Sequence, residues 1–319
     1  MTSTPCLPKK NATTLARSDL THPPCLIVNP SAGRGRIRAT LPAVRAAFAA
    51  RGVTTILETS SAGQEETLAE RALADGATTI VAVGGDGTCS MIANAILRCG
   101  ARCRLAVVPA GTGNDFAKTL GVGRHSPEQV ASLVARGLET LIDVAHADGR
   151  YFLNSCGFGF DASVLEASNR IRFLRGDAVY IYAALQQLFS YRGIDVSTSG
   201  APGVERGTML MVTVSNGQWL GGAFRIAPQA SVIDGRLNTC FFRDAGVVQR
   251  VRLFAGALRG THLGMRAVTS ASVAELTLTF STAPMMEMDG ELRSARSKRV
   301  DLKCVPRALA VIAADGAVR

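Results

Sequence analysis

From residue 24 onward, short apolar runs alternate with stretches in which apolar residues recur every three or four positions. The runs predict buried strands at 25–29, 53–58, 79–83 and 105–108, and the stretches between them predict helices at 36–51, 64–75 and 88–98. This alternation predicts a parallel sheet with right-handed crossovers. The first part of the chain is therefore predicted to be a doubly wound α/β domain, whose ligands bind beyond the carboxyl ends of the strands.

After about residue 143 the pattern changes to strands with few intervening helices. Strands are predicted at 151–156, 208–215, 237–242, 275–280 and 285–288, and helices at 160–170, 177–191 and 246–258. A second lobe built on antiparallel strands follows, and the last apolar run, 308–313, fits either lobe. The predicted division is a flexible leader at 1–23, a first lobe at 24–143 completed by 306–319, and a second lobe at 144–305, with a cleft between the lobes.

Composition narrows the class of partner. The chain has 319 residues, 47% of them hydrophobic, and a formal net charge of +10, which favours an anionic partner such as phosphate or an acidic membrane, unless the arginines serve only solvation. The charge is scattered and only 5% of residues are aromatic, so no nucleic acid is expected as a partner.

No apolar run reaches the roughly 18 residues of a membrane span, and the eight cysteines form no paired motif. A cytoplasmic protein with reduced thiols and peripheral membrane contact is expected.

The strongest local feature is the run Gly84, Gly85, Asp86, Gly87 and Thr88, between a predicted strand and a predicted helix. Glycines let backbone N–H groups approach phosphate oxygens, and the following helix N-terminus favours an anion. A tight turn with Thr88 as N-cap is the alternative. Asp86 favours phosphate binding with Mg²⁺, because a carboxylate among such glycines repels phosphate unless a cation lies between them.

Two further loops follow strands directly and should meet the first one at the same rim. Residues 109–116 contain Gly111, Thr112, Asn114 and Asp115, and residues 29–35 offer a second backbone concavity beside Arg34 and Arg36. The chain has neither a Walker A sequence nor a Gly-x-Gly-x-x-Gly fingerprint, which argues against P-loop and Rossmann cofactor families.

Together these loops resemble the diacylglycerol kinase catalytic family, which includes sphingosine kinases, ceramide kinases and bacterial lipid kinases. The run 84–88 alone is also similar to NAD kinases, but the later loop 109–116 makes the resemblance specific. Further matches in the family's order are the segments 154–160, 221–228, 234–235 and 288–291. The resemblance covers nearly the whole chain after residue 24.

The resemblance implies an ATP- and Mg²⁺-dependent lipid kinase, with diacylglycerol as the first candidate acceptor. It implies that ATP is held by Asn29, Pro30, Ser31, Ala32, Gly33, Thr59, Gly84, Gly85, Asp86, Gly87, Thr88, Cys89, Ser90, Gly111, Thr112, Asn114 and Asp115. Asp289 and Glu291 are expected at the cleft with Asp86. The resemblance implies that either Asp289 or Glu291 is the base that takes the proton of the acceptor hydroxyl. A metal site is implied at Asp234, with main-chain oxygens of Ser231 and Arg236.

Several alternatives stay open. Residues 289–290 also suit a type I′ hairpin turn, with Glu291 solvated. Cys89, Ser90 and Met91 stand where relatives commonly carry Leu or Ile, Asn and Glu, so a nucleotide-binding lipid sensor without full activity is a competing hypothesis, beside an NAD kinase. Segments 170–175 and 246–260, the latter with Arg250, Arg252 and Arg259, are candidates for lipid access or ordinary amphipathic helices. A homodimer is compatible with the sequence.

Overall fold

The computed structural model describes residues 24–61, 63–171 and 178–318. The predicted leader, 1–23, lies outside the described residues, as do residues 172–175 of the first segment proposed for lipid access. None of the helices in the described part of the chain is long and apolar enough to cross a membrane.

Fifteen strands and eight α-helices are described. The strands are β1 (Cys25–Val28), β2 (Ile56–Glu58), β3 (Thr79–Gly84), β4 (Arg104–Pro109), β5 (Thr140–Ala147), β6 (Arg150–Phe152), β7 (Ser155–Gly159), β8 (Ile194–Ser199), β9 (Arg206–Ser215), β10 (Leu237–Arg243), β11 (Val268–Val273), β12 (Glu275–Phe280), β13 (Met285–Met288), β14 (Glu291–Ser294) and β15 (Arg299–Val311). The helices are α1 (Ile37–Ala49), α2 (Gln64–Ala74), α3 (Asp86–Cys99), α4 (Asp115–Thr119), α5 (Pro127–Arg136), α6 (Phe160–Arg170), α7 (Ala178–Ser190) and α8 (Val247–Arg259).

The first lobe has the predicted parallel sheet, in the order β4-β3-β1-β2. All residues of β1 and β3 are buried, as expected for parallel strands covered on both faces. Helix α1 buries Val44 and Phe48 against one face, and α3 packs Ile92 and Ile96 against the other. Strands β1, β3 and β4 therefore point their carboxyl ends at one edge of the lobe.

The second lobe is antiparallel, as predicted. Strands β14-β13-β7-β9-β8-β12 are neighbours in that order, and β10 pairs with β9 and β11. Phe158, Val212 and Phe241 form part of its core, and Phe158 packs on Phe280 with ring centroids 5.1 Å apart. The two-lobed fold class inferred from the sequence is confirmed.

Strand β15 joins the lobes into one sheet. It pairs with β12 and β5 in antiparallel fashion, and Ala310 and Val311 pair in parallel with Arg104 and Leu105 of β4. The predicted strand at 308–313, placed in either lobe, thus begins earlier and belongs to both. The register of β15 against β5 shifts between Val305 and Leu309, where Arg307 has a φ of 51°.

Three local predictions were wrong. The strand predicted at 151–156 is two strands, β6 and β7, because residues 153–154 leave the ladder. Strand β5 was not predicted and crosses the expected lobe boundary at 143. Helix α3 begins at Asp86 rather than 88. The split between β6 and β7 lies beside the cleft, where tertiary contacts override local propensity.

The buried carboxylate of Asp143 stabilises the irregularity in β15. It accepts hydrogen bonds from the backbone N–H of Arg307 at 2.8 Å and of Gly235 at 2.6 Å, so it joins β5, β15 and the loop before β10. We expect Asp143→Ala to lower the free energy of unfolding by about 3 kcal/mol, because two buried donors lose a charged acceptor. Urea unfolding followed by circular dichroism measures this.

The matched control is Asp301→Ala on the same strand. Asp301 is exposed and contacts Arg299 and Thr277 at the surface, so its loss should change stability by less than about 1 kcal/mol. Equal losses in the two variants would contradict the role given to Asp143.

Candidate active site

The three glycine-containing loops lie against one another at the carboxyl ends of β1, β3 and β4. A Cβ on Gly33 would stand 2.6 Å from the carbonyl oxygen of Ala110, and a Cβ on Gly85 would stand 2.9 Å from the Cα of Gly111. The backbone N–H of Ala110 donates to the carbonyl of Gly84 at 2.8 Å. Side chains at these glycines would separate the loops, so the predicted common rim is confirmed.

Helix α3 points its N-terminus at this rim. Its N-cap is Gly85, and no side chain caps the first turn. The alternative in which Thr88 is the N-cap is therefore wrong. The uncapped N–H groups of a 14-residue helix, together with its dipole, are suited to bind an anion such as phosphate.

A buried network fixes the distance between the first two loops. Glu65, at the start of α2 and 2% exposed, accepts a hydrogen bond from the Asn29 amide at 2.9 Å and another from the Thr88 hydroxyl at 3.4 Å. Asn29 also accepts from the backbone N–H of Ser31 at 2.9 Å. Glu65 was missed in the sequence, where an acidic residue in the first turn of a helix is ordinary.

The third loop is held by two side chains. The amide oxygen of Asn114, whose φ is 54°, accepts from the N–H of Gly111 at 2.8 Å. Asp86 reaches across from α3 and accepts from the N–H of Phe116 at 2.8 Å, at the start of α4. The Asp86 carboxylate is therefore fixed by the 109–116 loop.

Asp289 occupies a hairpin turn and the cleft at the same time. Asp289 and Gly290 have φ values of 49° and 87° between the paired strands β13 and β14, so the predicted type I′ turn is present. The Asp289 carboxylate accepts from the N–H groups of Leu153 and Asn154, both at 2.8 Å, and of Ser155 at 3.4 Å. The break between β6 and β7 exists because these N–H groups bond to Asp289 rather than to a strand.

Asn154 connects this turn to the first lobe. Its side-chain amide donates to Asp86 at 3.4 Å, while its backbone N–H bonds Asp289. The hydroxyl of Ser90 on α3 also bonds the Asp289 carboxylate. Ser90, one of the residues that depart from the family's pattern, thus orients a cleft carboxylate.

Glu291 faces the glycine loop from the second lobe. A Cβ on Gly87 would lie 3.2 Å from its Oε1, and its Oε2 pairs with Arg293 at 2.5 Å. Asp86 and Glu291 therefore border the same cleft, as the sequence predicted.

A second tie between the lobes runs through Asp115. Its carboxylate accepts from the N–H of Gly222 at 3.0 Å and pairs with Lys118 at 3.0 Å. Lys118 also donates to the carbonyl of Gly222 and lies 5.1 Å from the ring centroid of Trp219. The structure gives Asp115 an interlobe bond, and its predicted contact with nucleotide stays a prediction.

Five carboxyl groups line the cavity between the lobes: Asp86, Asp115, Asp161, Glu287 and Asp289. Burial raises the pKa of Asp289 to about 6, although the hydrogen bonds that its carboxylate accepts act to lower this pKa. Burial also raises the pKa of Asp161 to about 7. Burial and the nearby Asp86 raise the pKa of Asp115 to about 7. Burial also raises the pKa of Asp86, and Asp289 adds to this. Asp161 and Glu287 were missed in the sequence, because they lie just outside the matched segments 154–160 and 288–291.

The other predicted nucleotide residues lie at or behind the same rim. Pro30, Ser31 and Ala32 follow β1, and Thr59 follows β2 with its N–H on the carbonyl of Val28 at 2.9 Å. Thr112 lies in the third loop. Cys89 is 1% exposed and packs in the apolar core, so its side chain is not placed to contact a ligand.

The predicted metal residues Ser231, Asp234 and Arg236 do not line the interlobe cavity. They lie in the loop before β10, where Asp234 accepts from the N–H of Arg236 at 2.9 Å and the adjacent Gly235 donates to Asp143. The metal role of Asp234 stays a prediction.

The donor set of the cleft fits a cation that binds together with phosphate. Among residues 24–61, 63–171 and 178–318, no three His, Cys, Asp or Glu side chains are arranged as a metal site. Mg²⁺ is commonly held by one or two carboxylates and the phosphates of a substrate rather than by a protein cage. Asp86 and Glu291 beside the α3 N-terminus supply oxygens of this kind.

Comparison with known proteins assigns both lobes. Residues 23–147 match the diacylglycerol kinase catalytic domain family, and residues 154–313 match the YegS C-terminal NAD kinase beta sandwich-like domain family. The chain belongs to the diacylglycerol kinase and YegS-like lipid kinase family. Residues 148–153 separate the two matches and include β6 and the turn before it.

Individual relatives agree with this. The chain is 27% identical to a protein named diacylglycerol kinase from Bacillus subtilis, over 83% of this chain and 88% of that protein. It is 32% identical to a Pseudomonas aeruginosa protein named "Probable lipid kinase YegS-like", over 73% of this chain and 74% of that protein. A solved diacylglycerol kinase structure from Bacillus anthracis shares the fold, with a TM-score of 0.71 and 23% identity over 93% of this chain and 98% of that one.

The raised pKa of Asp161 predicts a pH effect on stability. Its pKa is about 7 in the folded protein and ordinarily 3.8, so the folded state binds this proton more tightly and stability is lost as pH rises from about 4 through 7. We expect Asp161→Asn to lose less stability than wild type between pH 5 and pH 8 in urea unfolding, because the amide does not ionise. Asp195→Asn, at an exposed position on β8, is the control and should follow wild type; a wild-type profile for Asp161→Asn would contradict the assignment.

Proposed function

We propose that this protein transfers the γ-phosphoryl group of ATP to the hydroxyl of a lipid in the presence of Mg²⁺. The observation that carries the proposal is one cleft in which an anion site, a set of carboxylates and an apolar cavity adjoin. Membership in a family whose relatives are named as diacylglycerol and lipid kinases supports it. Diacylglycerol is the first candidate for the acceptor.

The triphosphate would bind at the rim formed by the three loops. The N-terminus of α3 would bind phosphate oxygens, with the backbone of residues 29–33 and Thr112 on either side. Mg²⁺ held by Asp86 would neutralise phosphate charge, which is the main demand of phosphoryl transfer. The site around Asp234 would hold a second, structural Mg²⁺.

The proton of the acceptor hydroxyl needs a carboxylate beside the phosphate. Asp289 is 2% exposed and its oxygens are engaged by three backbone N–H groups and Ser90, which suits it to position Asn154 and Asp86. Asp86 and Glu291 are partly exposed at the cleft. We assign the base role to Glu291, because Asp86 is assigned to Mg²⁺, and Asp289 is a positioning residue.

An apolar cavity in the second lobe adjoins the carboxylates. It is enclosed by α6, α7, α8 and β9, and Phe160, Leu188, Phe242 and Phe254 are among its lining residues. Four lining residues are shared with the interlobe cavity: Asp161, Val164, Leu220 and Gly221. A lipid with its chain in the apolar cavity would place its hydroxyl toward Asp86. This apolar lining favours a lipid acceptor over NAD.

The outer faces of α7 and α8 would bring the protein to an anionic membrane. Phe189 on α7 is 67% exposed and Val248 on α8 is 69% exposed. Arg252 and Arg259 are exposed on α8, so apolar and basic side chains share this surface. Arg250, expected there too, is buried instead: it pairs with Asp244 and donates to the carbonyls of Leu188 and Tyr191.

Removal of either cleft carboxylate tests the proposed activity. We expect Asp86→Asn and Glu291→Gln each to lower kcat for ³²P transfer from ATP to diacylglycerol in mixed micelles by at least about 100-fold, the range of a lost acid or base. Thermal unfolding should show that both variants fold.

The matched control is Glu275→Gln at an exposed position of β12, which should keep wild-type activity. Transfer to NAD but to no lipid would replace this proposal by an NAD kinase, and ATP binding without transfer to any acceptor would favour a sensor.

The membrane surface is tested by charge insertion. We expect Phe189→Asp and Val248→Asp each to weaken cosedimentation with phosphatidylglycerol-containing vesicles by about tenfold, because burying apolar area drives interfacial binding. Leu138→Asp removes an exposed apolar side chain of the first lobe and should bind like wild type. Equal weakening by Leu138→Asp would argue against an α7 and α8 surface.

A further inference from the structure

Two acidic side chains of the cleft take no part in the proposed phosphoryl transfer. Asp161 is the second residue of α6, and its carboxyl lies against Gly157 so closely that a Cβ at Gly157 would overlap it. Gly157 of β7 is the residue paired with Glu287 of β13. Directly paired residues have Cα atoms about 5 Å apart, so the carboxyl groups of Asp161 and Glu287 are neighbours.

Each carboxyl has an oxygen without a hydrogen-bond donor. Oδ2 of Asp161 and Oε2 of Glu287 are inaccessible to solvent and bond no group in the described part of the chain. Glu287 is 4% exposed, and only its Oε1 is engaged, by the N–H of Gly290. Burying an acceptor without a hydrogen-bond donor costs about 1–3 kcal/mol of folding free energy. A ligand that donates hydrogen bonds to these two oxygens would therefore be bound favourably.

The position of Asp161 and Glu287 indicates which class of ligand could supply the hydrogen-bond donor. Both residues line the interlobe cavity with Asp86 and Asp289, and Asp161 also lines the apolar cavity. An amphiphile with its chain in the apolar cavity and its reacting hydroxyl near Asp86 would carry its polar headgroup past Asp161 and Glu287.

We propose that Asp161 and Glu287 accept hydrogen bonds from a second donor of the acceptor lipid, a hydroxyl or amino group next to the hydroxyl that is phosphorylated. This inference rests on the proposed lipid kinase function and replaces diacylglycerol as the first candidate acceptor. It favours lipids with one acyl or alkyl chain and an adjacent free donor, such as a monoacylglycerol or a long-chain amino alcohol. In diacylglycerol the neighbouring oxygens are esterified and offer no donor.

The electrostatics of the pair agree with a donor ligand. Burial raises the pKa of Glu287, and the Asp161 carboxyl raises it further; Asp161 has a pKa of about 7. Two adjacent carboxyls of this kind disfavour a second negative charge, and a donor, above all an ammonium group, offsets that repulsion.

The experiment compares acceptors within one enzyme preparation, so that any unfolded fraction cancels. Full-length protein with ATP and Mg²⁺ is given a monoacylglycerol, a long-chain amino alcohol or a diacylglycerol of matched chain length in mixed micelles. We expect wild-type kcat/KM to be higher for a donor-bearing lipid than for diacylglycerol. Glu287→Gln and Asp161→Asn should each lower that ratio by about tenfold, the effect of one charged hydrogen bond, mostly through KM. Glu275→Gln should leave the ratio unchanged.

A wild-type preference for diacylglycerol, or ratios that neither variant alters, would overturn the inference while leaving lipid kinase activity intact. If no lipid is phosphorylated, the proposed function fails, and lipid binding then decides the inference. Trp219, the single tryptophan of the chain, precedes Leu220 and Gly221 of the cavity lining, so its fluorescence reports binding. Tighter binding of donor-bearing lipids that Glu287→Gln weakens about tenfold would support the inference, and equal binding of all three lipids would overturn it.

Discussion

A single strand shared by two lobes is the constraint on which the cleft depends. Strand β15 is hydrogen-bonded to β12 of the second lobe, to β5 at the boundary and to β4 of the first lobe. The two lobes are therefore one continuous sheet rather than bodies joined by a linker. Because backbone ladders fix the position of each strand, the ends of β3, β4, β7 and β13 stand at set distances, and the loops that follow them face a common space.

Within this frame, polar side chains rather than apolar packing set the geometry of the cleft. Asp289 accepts hydrogen bonds from the backbone of residues 153–155. The side-chain amide of Asn154 donates to Asp86, and Asp86 accepts from a backbone N–H at the start of α4. Each step is a hydrogen bond from a backbone or amide N–H to a carboxylate, which is stronger than a bond between neutral groups. The cleft thus concentrates negative charge in a protein of net charge +10, and burial keeps several of these carboxyls at raised pKa values. A cation bound between these carboxyls and a phosphate group would offset that repulsion.

The apolar cavity and the acidic cleft meet at Asp161, Val164, Leu220 and Gly221. This contiguity matters more for function than either cavity alone, because a lipid kinase must hold an apolar chain and a charged phosphate within one molecule's length. The two lobes contribute different surfaces, since the glycine loops of the first lobe suit phosphate and the helices of the second lobe enclose hydrocarbon. Only where β7 and β13 bring α6 beside the cleft do the two environments touch.

Much of this architecture was readable from local pattern, since apolar runs and glycine turns report local chemistry. The parallel first lobe, the antiparallel second lobe, and the loops at 29–35, 84–88 and 109–116 with Asp86 all follow from residues close together in the chain. The place of Asp289 and Glu291 at the cleft was implied by the family resemblance. The contacts of Glu65, Asn154, Asp161 and Glu287 do not, because each partner lies on a different strand or helix and no spacing encodes the meeting. The same reason explains the split of β6 from β7, which is decided by a carboxylate more than 130 residues away. Local pattern thus determined which elements form and where phosphate chemistry is possible, whereas long-range strand pairing alone decided which carboxyl groups share the cleft and what they face.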